Sequence, residues 1–148
     1  MNHAVVVDAS VAVKWVLDEE FTEQARAVLR DSVRRPIVAP PHLTSEVTNA
    51  LHQRVRVADR EKRISEPQSQ EALALFLSFR IEFQAPATLY QQSLAFAQIN
   101  RLSHTYDSLY VILAQMVNAE LWTGDRRLLN SIRRVAPWVR WIGDYPLP

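Results

Sequence analysis

The sequence contains no cysteine and only two glycines, and each scarcity excludes a class of function. Without cysteine the chain can form no disulfide, no thiolate zinc site and no cysteine nucleophile. Gly124 and Gly143 cannot supply the glycines of GxGxxG or of GxxxxGK followed by Ser or Thr, so neither type of glycine-rich phosphate loop is present.

Long apolar runs are missing as well. No uncharged stretch is long enough to cross a bilayer. The first apolar run lacks a basic segment before it and is interrupted by Asp8, so we expect no signal peptide and a cytoplasmic protein. The 17 basic and 16 acidic side chains give a net charge of +1, which says little about partners unless the charges are sorted into patches.

The remaining composition is that of an ordinary globular protein. The chain has 148 residues, of which 48% are hydrophobic and 22% charged. This length predicts a single domain, residues 1–148, that can bury a core without covalent staples.

Short apolar segments predict four strands. The chain opens "MNHAVVVDASVAVKW", and the run Val5 to Val7 is typical of a strand buried on both faces, as in a parallel sheet. Three further segments predict strands: "PIVAPP", "AELWTGD" and "WVRWIGDY". The prolines of the second one end it, because proline cannot continue a central ladder. The first strand ends in Asp8 and the third in Asp125.

Helical patterns separate these strands. A short helix should follow Asp8, with Asp8 or Ser10 as its cap, and residues 22–35 place Ala25, Val28, Leu29 and Val33 on one stripe. "HLTSEVTNALHQRVRVA" predicts a helix capped by Thr44 or Ser45, and "DREKRISEPQSQ" a connection between helices. Residues 70–83 predict a helix, as do three later segments: "ATLYQQSLAFAQIN", "HTYDSLYVILAQMVN" and "RRLLNSIRRV". Alternating strands and helices indicate an α/β fold with a mainly parallel central sheet covered on both faces.

Four acids stand at the starts of predicted helices: Asp8, Glu46, Asp107 and Asp125. Each could be explained singly, as a cap that contributes about 1 kcal/mol or as a first-turn acid favoured by the helix dipole. Two of them also follow apolar strands directly, and ligands of such sheets bind beyond the carboxyl ends of the strands. If the helix starts share one sheet edge, the carboxylates converge and repel one another, and a divalent cation would offset that cost.

The available ligands favour a hard cation. With only oxygen donors and no HExxH motif, Mg²⁺ or Mn²⁺ suits such a site better than Zn²⁺. Carboxylates that hold one or two such ions, about 3.5–4 Å apart when there are two, can activate a water for attack on a phosphodiester. A metal-dependent phosphodiesterase is therefore a candidate function.

Four segments in order resemble the PIN domain family, and within it the VapC-type toxins of toxin–antitoxin pairs: "VVVDASVAVKW", "SEVTNAL", "TYDSLYVILA" and "LWTGD". The resemblance implies a three-layer α/β/α domain with Mg²⁺-dependent ribonuclease activity and the catalytic, metal-binding quartet Asp8, Glu46, Asp107 and Asp125. It also implies an RNA substrate, an antitoxin partner and a homodimer.

The resemblance assigns roles within that site. Asp8 and Asp107 are expected to contact the metal directly, while Glu46 and Asp125 could bind a second ion, act through water or serve as a base. Three polar residues match positions that orient carboxylates or bound water: Ser10, Asn49 and Thr123. The expected reaction is in-line attack of a metal-activated water on an RNA phosphodiester.

Other residues carry weaker signals. Arg126 and Arg127 adjoin the predicted site and could hold RNA phosphates, whereas the basic residues of segment 54–63 are expected to form a solvated helix face. The four histidines lack metal-ligand spacing, and only His104 is expected near the site, in a local hydrogen bond. We expect two helices to offer apolar surface to a second subunit or an antitoxin. They carry Phe76, Phe79, Phe83 and Tyr90.

Three alternatives are weighed against the toxin. A haloacid-dehalogenase-like phosphatase would need an aspartate where this chain has Ser10, which argues against it. A non-catalytic RNA-binding PIN module would have no reason to keep four acids. A housekeeping PIN nuclease of RNA processing stays open, since only the small size and lack of extra domains favour the toxin.

Overall fold

A computed structural model describes residues 3–148 and shows a parallel five-stranded sheet with the strand order β3-β2-β1-β4-β5. Its strands are β1 (Val5–Val7), β2 (Ile37–Ala39), β3 (Glu82–Phe83), β4 (Glu120–Thr123) and β5 (Val139–Trp141). Its helices are α1 (Ala9–Val16), α2 (Thr22–Arg30), α3 (Leu43–Arg56), α4 (Glu66–Ser78), α5 (Leu89–Ile99), α6 (Tyr106–Met116) and α7 (Arg126–Ile132).

The valine run forms the centre of the sheet, as predicted. Strand β1 pairs in parallel with β2 on one side and with β4 on the other, and its three valines are at most 1% exposed. The helices pack in groups, with α1 against α2, α3 and α4, and α5 against α6. This arrangement confirms the predicted three-layer α/β/α fold. Within the described residues, no helix is long and apolar enough to span a membrane.

Helix α6 carries the largest buried stretch of any helix in the described chain. Seven consecutive residues, from Ser108 to Ala114, are buried, and the helix packs against both β1 and β4. Asp107 precedes this stretch directly, so it lies where a buried helix reaches the edge of the sheet.

Two predicted helices end or begin elsewhere. Helix α2 ends at Arg30 and a 3-10 turn follows over Asp31–Val33, so the expectation of a helix to Arg35 is wrong. The turn takes Val33 off the apolar stripe, and Val33 is 92% exposed. Helix α3 starts at Leu43, whose N–H donates to the carbonyl of Pro40. The expected caps Thr44 and Ser45 therefore lie inside the helix.

The segment expected to connect helices is half helical. Ser65 and Gln68 form a capping box, in which each side chain accepts a hydrogen bond from the backbone N–H of the other. Pro67 lies in the first turn of α4, where a missing N–H costs nothing.

The sheet also has a strand that the pattern did not predict. The helix expected over residues 70–83 ends at Ser78, and Glu82 and Phe83 form β3 at the sheet edge, paired with β2. Both residues are exposed, so β3 lacks the buried apolar run of the other strands.

Candidate active site

The topology brings the first and last predicted site acids to one edge of the sheet. Strands β1 and β4 are adjacent and parallel, with Val7 opposite Trp122, so both chains leave the sheet at the same edge. Asp8 directly follows β1, and Asp125 lies two residues beyond the end of β4.

Asp8 is a buried carboxylate held by three donors. It is 4% exposed and accepts hydrogen bonds from the hydroxyls of Ser10 and Thr123, each at 2.5 Å, one on each carboxylate oxygen. The N–H of Val11 adds a third bond at 3.3 Å, which makes Asp8 the N-cap of α1. The Asp8 side chain therefore both caps α1 and belongs to the acidic site.

Burial, with a smaller contribution from the nearby charge of Asp107, raises the pKa of Asp8 to about 6. The hydrogen bonds from Ser10 and Thr123 act in the opposite direction because they favour the ionised form. A bound cation would act in the same direction as these two hydroxyls.

The two hydroxyls also tie the loops together. Ser10 Oγ accepts the N–H of Gly124 at 2.7 Å, and Thr123 Oγ1 accepts the N–H of Asp125 at 3.0 Å. The loop after β4 is thus fixed to the start of α1, and Asp125 is held beside the cluster.

Asp107 is the electrostatic centre of the four acids. Burial raises its pKa, and the charges of Asp125 and Glu46 raise it further. Together with the interaction between Asp107 and Asp8, these couplings connect all four predicted carboxylates.

Glu46 is fixed by two side chains that we did not predict. Tyr110 OH donates to Glu46 Oε1 at 2.5 Å, and His42 Nε2 lies 3.2 Å from the same oxygen. Burial alone would raise the pKa of Glu46, but these hydrogen bonds and the His42 charge outweigh it and lower that pKa. Burial and the neighbouring Glu46 raise the pKa of Tyr110, which stays a hydrogen-bond donor.

Asp125 caps its own helix. Its Oδ1 accepts the N–H groups of Arg127 and Leu128 at 3.0 and 3.1 Å. Within residues 3–148, Oδ2 takes no hydrogen bond, which leaves that oxygen available to a ligand.

Two of the four acids line a cleft of about 910 Å³, and Asp8 and Asp125 are not among its lining residues. Glu46 and Asp107 line it together with Ser10 and Gly124, whereas buried Asp8 lies beneath Ser10, to which it is bonded. Two histidines, His42 and His104, and two basic side chains, Lys14 and Arg54, line it as well.

The donor set fits a hydrated hard cation. Among the described residues, no three His, Asp or Glu side chains are close enough together to enclose a metal ion by themselves. Mg²⁺ usually keeps several waters and takes one or two carboxylates. Such an ion would offset the mutual repulsion of the acids, and it would lower the raised pKa of Asp8.

In the described part of the chain, the side chains of three other predicted residues make no hydrogen bond to the acids. Asn49 lines the cleft, but within the described chain its side chain makes no hydrogen bond. The guanidinium of Arg126 lies 3.9 Å from the ring centroid of Trp141, and Arg127 is exposed. Neither arginine lines the cleft.

The basic segment 54–63 belongs to a helix only as far as Arg56, so the expectation of a helix face is wrong for the rest of it. Helix α3 ends at Arg56, and Arg63 folds back to donate to the carbonyls of Val57 and Ala58. Arg54 donates to the carbonyl of Lys62 at 2.7 Å, so these arginines hold a loop.

The expectation that only His104 lies near the site is wrong. His104 does bond locally, to Ser103 Oγ at 3.1 Å, but His42 contacts Glu46 directly and its ring lies 4.6 Å from that of Tyr110. The spacing of His42 four residues before Glu46 was the available signal, since such side chains share a helix face.

These observations define an α/β domain with an acidic cleft at the carboxyl edge of a parallel sheet. A family model described as "PIN domain" matches residues 5–135, and the chain belongs to that family.

Solved structures agree in fold. PAE2754 from Pyrobaculum aerophilum is 20% identical with a TM-score of 0.66, over 97% of this chain and 93% of that one. VapC20 of Mycobacterium tuberculosis, described as a toxin that cleaves the sarcin–ricin loop, is 15% identical with a TM-score of 0.56, over 82% and 88%. No curated protein sequence matches the chain.

Proposed function

We propose that this protein is a Mg²⁺-dependent endoribonuclease, the toxin of a VapBC-type toxin–antitoxin pair. One observation carries the proposal: four carboxylates from separate elements couple around Asp107 at a cleft, in a chain of the PIN domain family. The described fold explains why they meet, because the strands and helices that carry them all end or begin at one sheet edge.

The four acids would have two different roles in metal binding. Asp8 and Asp107 would hold a Mg²⁺ ion, with Glu46 and Asp125 contacting its waters or a second ion. When bound, the ion supplies an activated water and charge stabilisation at the phosphate. Ser10 and Thr123 fix the orientation of Asp8, and Tyr110 and His42 fix that of Glu46. With Mn²⁺ in place of Mg²⁺ the same oxygen ligands would serve.

The test is cleavage of labelled total RNA by the purified protein, with Mg²⁺ and with EDTA. We expect discrete fragments that require Mg²⁺ and disappear in Asp107→Asn. Glu66→Gln is the matched control, because Glu66 is also a first-turn acid but is exposed at the start of α4 and does not line the cleft. Loss of cleavage in Asp107→Asn with unchanged circular dichroism supports the assignment, whereas a fully active Asp107→Asn would contradict it.

The substrate and partners extend the proposal. Because the similar VapC20 is described as cleaving the sarcin–ricin loop, ribosomal RNA belongs in the tested pool.

Phe83 and Tyr90 are available to contact a second subunit or an antitoxin, because they are 47% and 57% exposed. Phe76 and Phe79 pack on Trp15 and are not free for docking. Leu94, one turn after Tyr90 on α5, is exposed too and extends the apolar surface that we propose for the homodimer.

A further inference from the structure

Lys14 is a buried lysine that has no ionic partner among the described residues. It lies on α1, is 9% exposed and lines the cleft. Within residues 3–148 it makes no hydrogen bond, and no carboxylate lies within 4.0 Å of its ammonium. The sequence pattern indicates for Lys14 only a place in the short helix after Asp8.

The fold directs Lys14 along the wall of the cleft. It stands one helical turn after Ser10, so both side chains share a face of α1. Its Cε lies 3.1 Å from the position that a Cβ would take on Gly124, and Ser10 Oγ lies 3.3 Å from the same position. A residue without a side chain at position 124 therefore leaves room for both the lysine and the hydroxyl.

Among the described residues no carboxylate neutralises the Lys14 ammonium, so its charge is free to bind an anion that enters the cleft. The other basic side chain of the cleft, Arg54, is already engaged, because it pairs with Glu19 at 3.4 Å and donates to the carbonyl of Lys62. Among the described residues that line the cleft, Lys14 is thus the basic side chain still available to a ligand.

The neighbouring acids give such a cation a role in the binding of a polyanionic ligand. Glu46 and Asp107 line the same cleft and would repel an approaching phosphodiester. We propose that the Lys14 ammonium binds a backbone phosphate of the RNA and holds it beside the acids. This inference rests on the proposed ribonuclease function and adds a substrate-contacting residue outside the acidic quartet.

The lysine content allows a direct test. Of the 17 basic residues only Lys14 and Lys62 are lysines, and Lys62 is exposed on the loop after α3. We would record NMR spectra of Asp107→Asn protein labelled at lysine, in EDTA, while adding a short single-stranded oligouridylate. The Lys14 signal should shift on addition of the RNA and the Lys62 signal should not. An unmoved Lys14 signal at saturating RNA, or no binding of RNA at all, would overturn the inference.

A second measurement uses variants in the same background. Lys14→Met keeps the apolar stem and removes the charge, and we expect RNA affinity to fall about tenfold. The slope of log affinity against log salt should decrease by about 0.7, the value for one phosphate contact on a single strand. Lys14→Arg should restore the slope, and Lys62→Met is the control that should leave it unchanged. An unchanged slope in Lys14→Met would contradict the inference.

These tests separate the two proposals. Binding is measured without Mg²⁺ and without cleavage, so a Lys14 contact can be established even if the wild-type protein cuts no RNA. Conversely, a wild-type protein that cuts RNA together with an equally active Lys14→Met would overturn the Lys14 inference and leave the ribonuclease standing. If Lys14→Met fails to fold, the NMR titration, which keeps both lysines, decides alone.

Discussion

Asp8 stabilises helix α1, but burial of its carboxylate lowers the stability of the fold. As N-cap of α1 it satisfies the N–H of Val11, yet it is the one buried acid among residues 3–148. Burial raises its pKa to about 6 from an ordinary value of 3.8. At neutral pH the folded protein therefore carries a buried negative charge that it would hold more favourably in the presence of a cation.

The pH dependence of stability follows from that shift. Between pH 3.8 and about 6 the folded protein keeps a proton on Asp8 that the unfolded chain has lost, so the free energy of unfolding falls as the pH rises through this range. The full difference corresponds to roughly 3 kcal/mol. Asp8→Asn remains a good cap and removes the charge. We expect it to stabilise the metal-free protein by about 1–3 kcal/mol at pH values well above this range and by less below it.

Urea unfolding in EDTA on both sides of that range measures this effect. Asp59→Asn, on an exposed loop, is the control and should change stability little at either pH. An equal gain from Asp8→Asn at both pH values would show that the charge of Asp8 is not the cause.

Replacement of Tyr110 should show whether cleavage needs the orientation of the Glu46 side chain as well as its charge. Tyr110→Phe removes the donor to Glu46 Oε1 and keeps the buried ring. We expect a loss of roughly 1–2 kcal/mol in unfolding free energy and cleavage slowed about 10-fold or more. Tyr145→Phe, which removes a comparable bond from Tyr145 OH to Asp31 outside the cleft, is the matched control for activity. Full activity in Tyr110→Phe would mean that Glu46 needs no such support.

Among the secondary-structure elements, buried strands were predictable and the edge strand was not. The valines of β1 form an apolar run because both faces of the central strand are covered. β3 has only two residues, both exposed, and the spacing of Phe79 and Phe83 imitates a helix. Its position is set by pairing with β2, which is a tertiary contact that local pattern does not contain.

The start of α4 was predictable in principle from its capping box. Ser65 followed by Gln68 is a known signature of a helix start, and here both reciprocal hydrogen bonds form. Ser65→Ala should therefore lower the unfolding free energy by about 1 kcal/mol. Ser69→Ala, which removes only a bond to the carbonyl of Glu66 within the same helix, should cost less. Chemical denaturation of the two variants gives the comparison, and equal losses would show that the cap is not special.

At the scale of the whole molecule, the sequence could predict which acids meet but not what surrounds them. Parallel strands bring their carboxyl ends to one edge, so Asp8 and Asp125 could be joined from topology alone. The contact of Tyr110 with Glu46 depends on how α3 approaches α6, whereas that of His42 is local to the start of α3 and follows from its i, i+4 spacing. The position of the Lys14 side chain depends on how closely the backbone at Gly124 approaches α1. The periodicity of a sequence contains no information about that distance.

The whole fold should respond to the metal. A ligand that binds only the folded state adds about 2.7 kcal/mol of stability at 100 times its dissociation constant, so Mg²⁺ should raise the urea midpoint of the wild-type protein. Asp8→Asn and Asp107→Asn should lose this increment, because each removes a carboxylate proposed to hold the ion. Glu66→Gln should keep it, since Glu66 is exposed at the start of α4 and does not line the cleft. A Mg²⁺ increment that survives both aspartate variants would place the ion elsewhere on the molecule, and the proposed division of roles among the four acids would then be wrong.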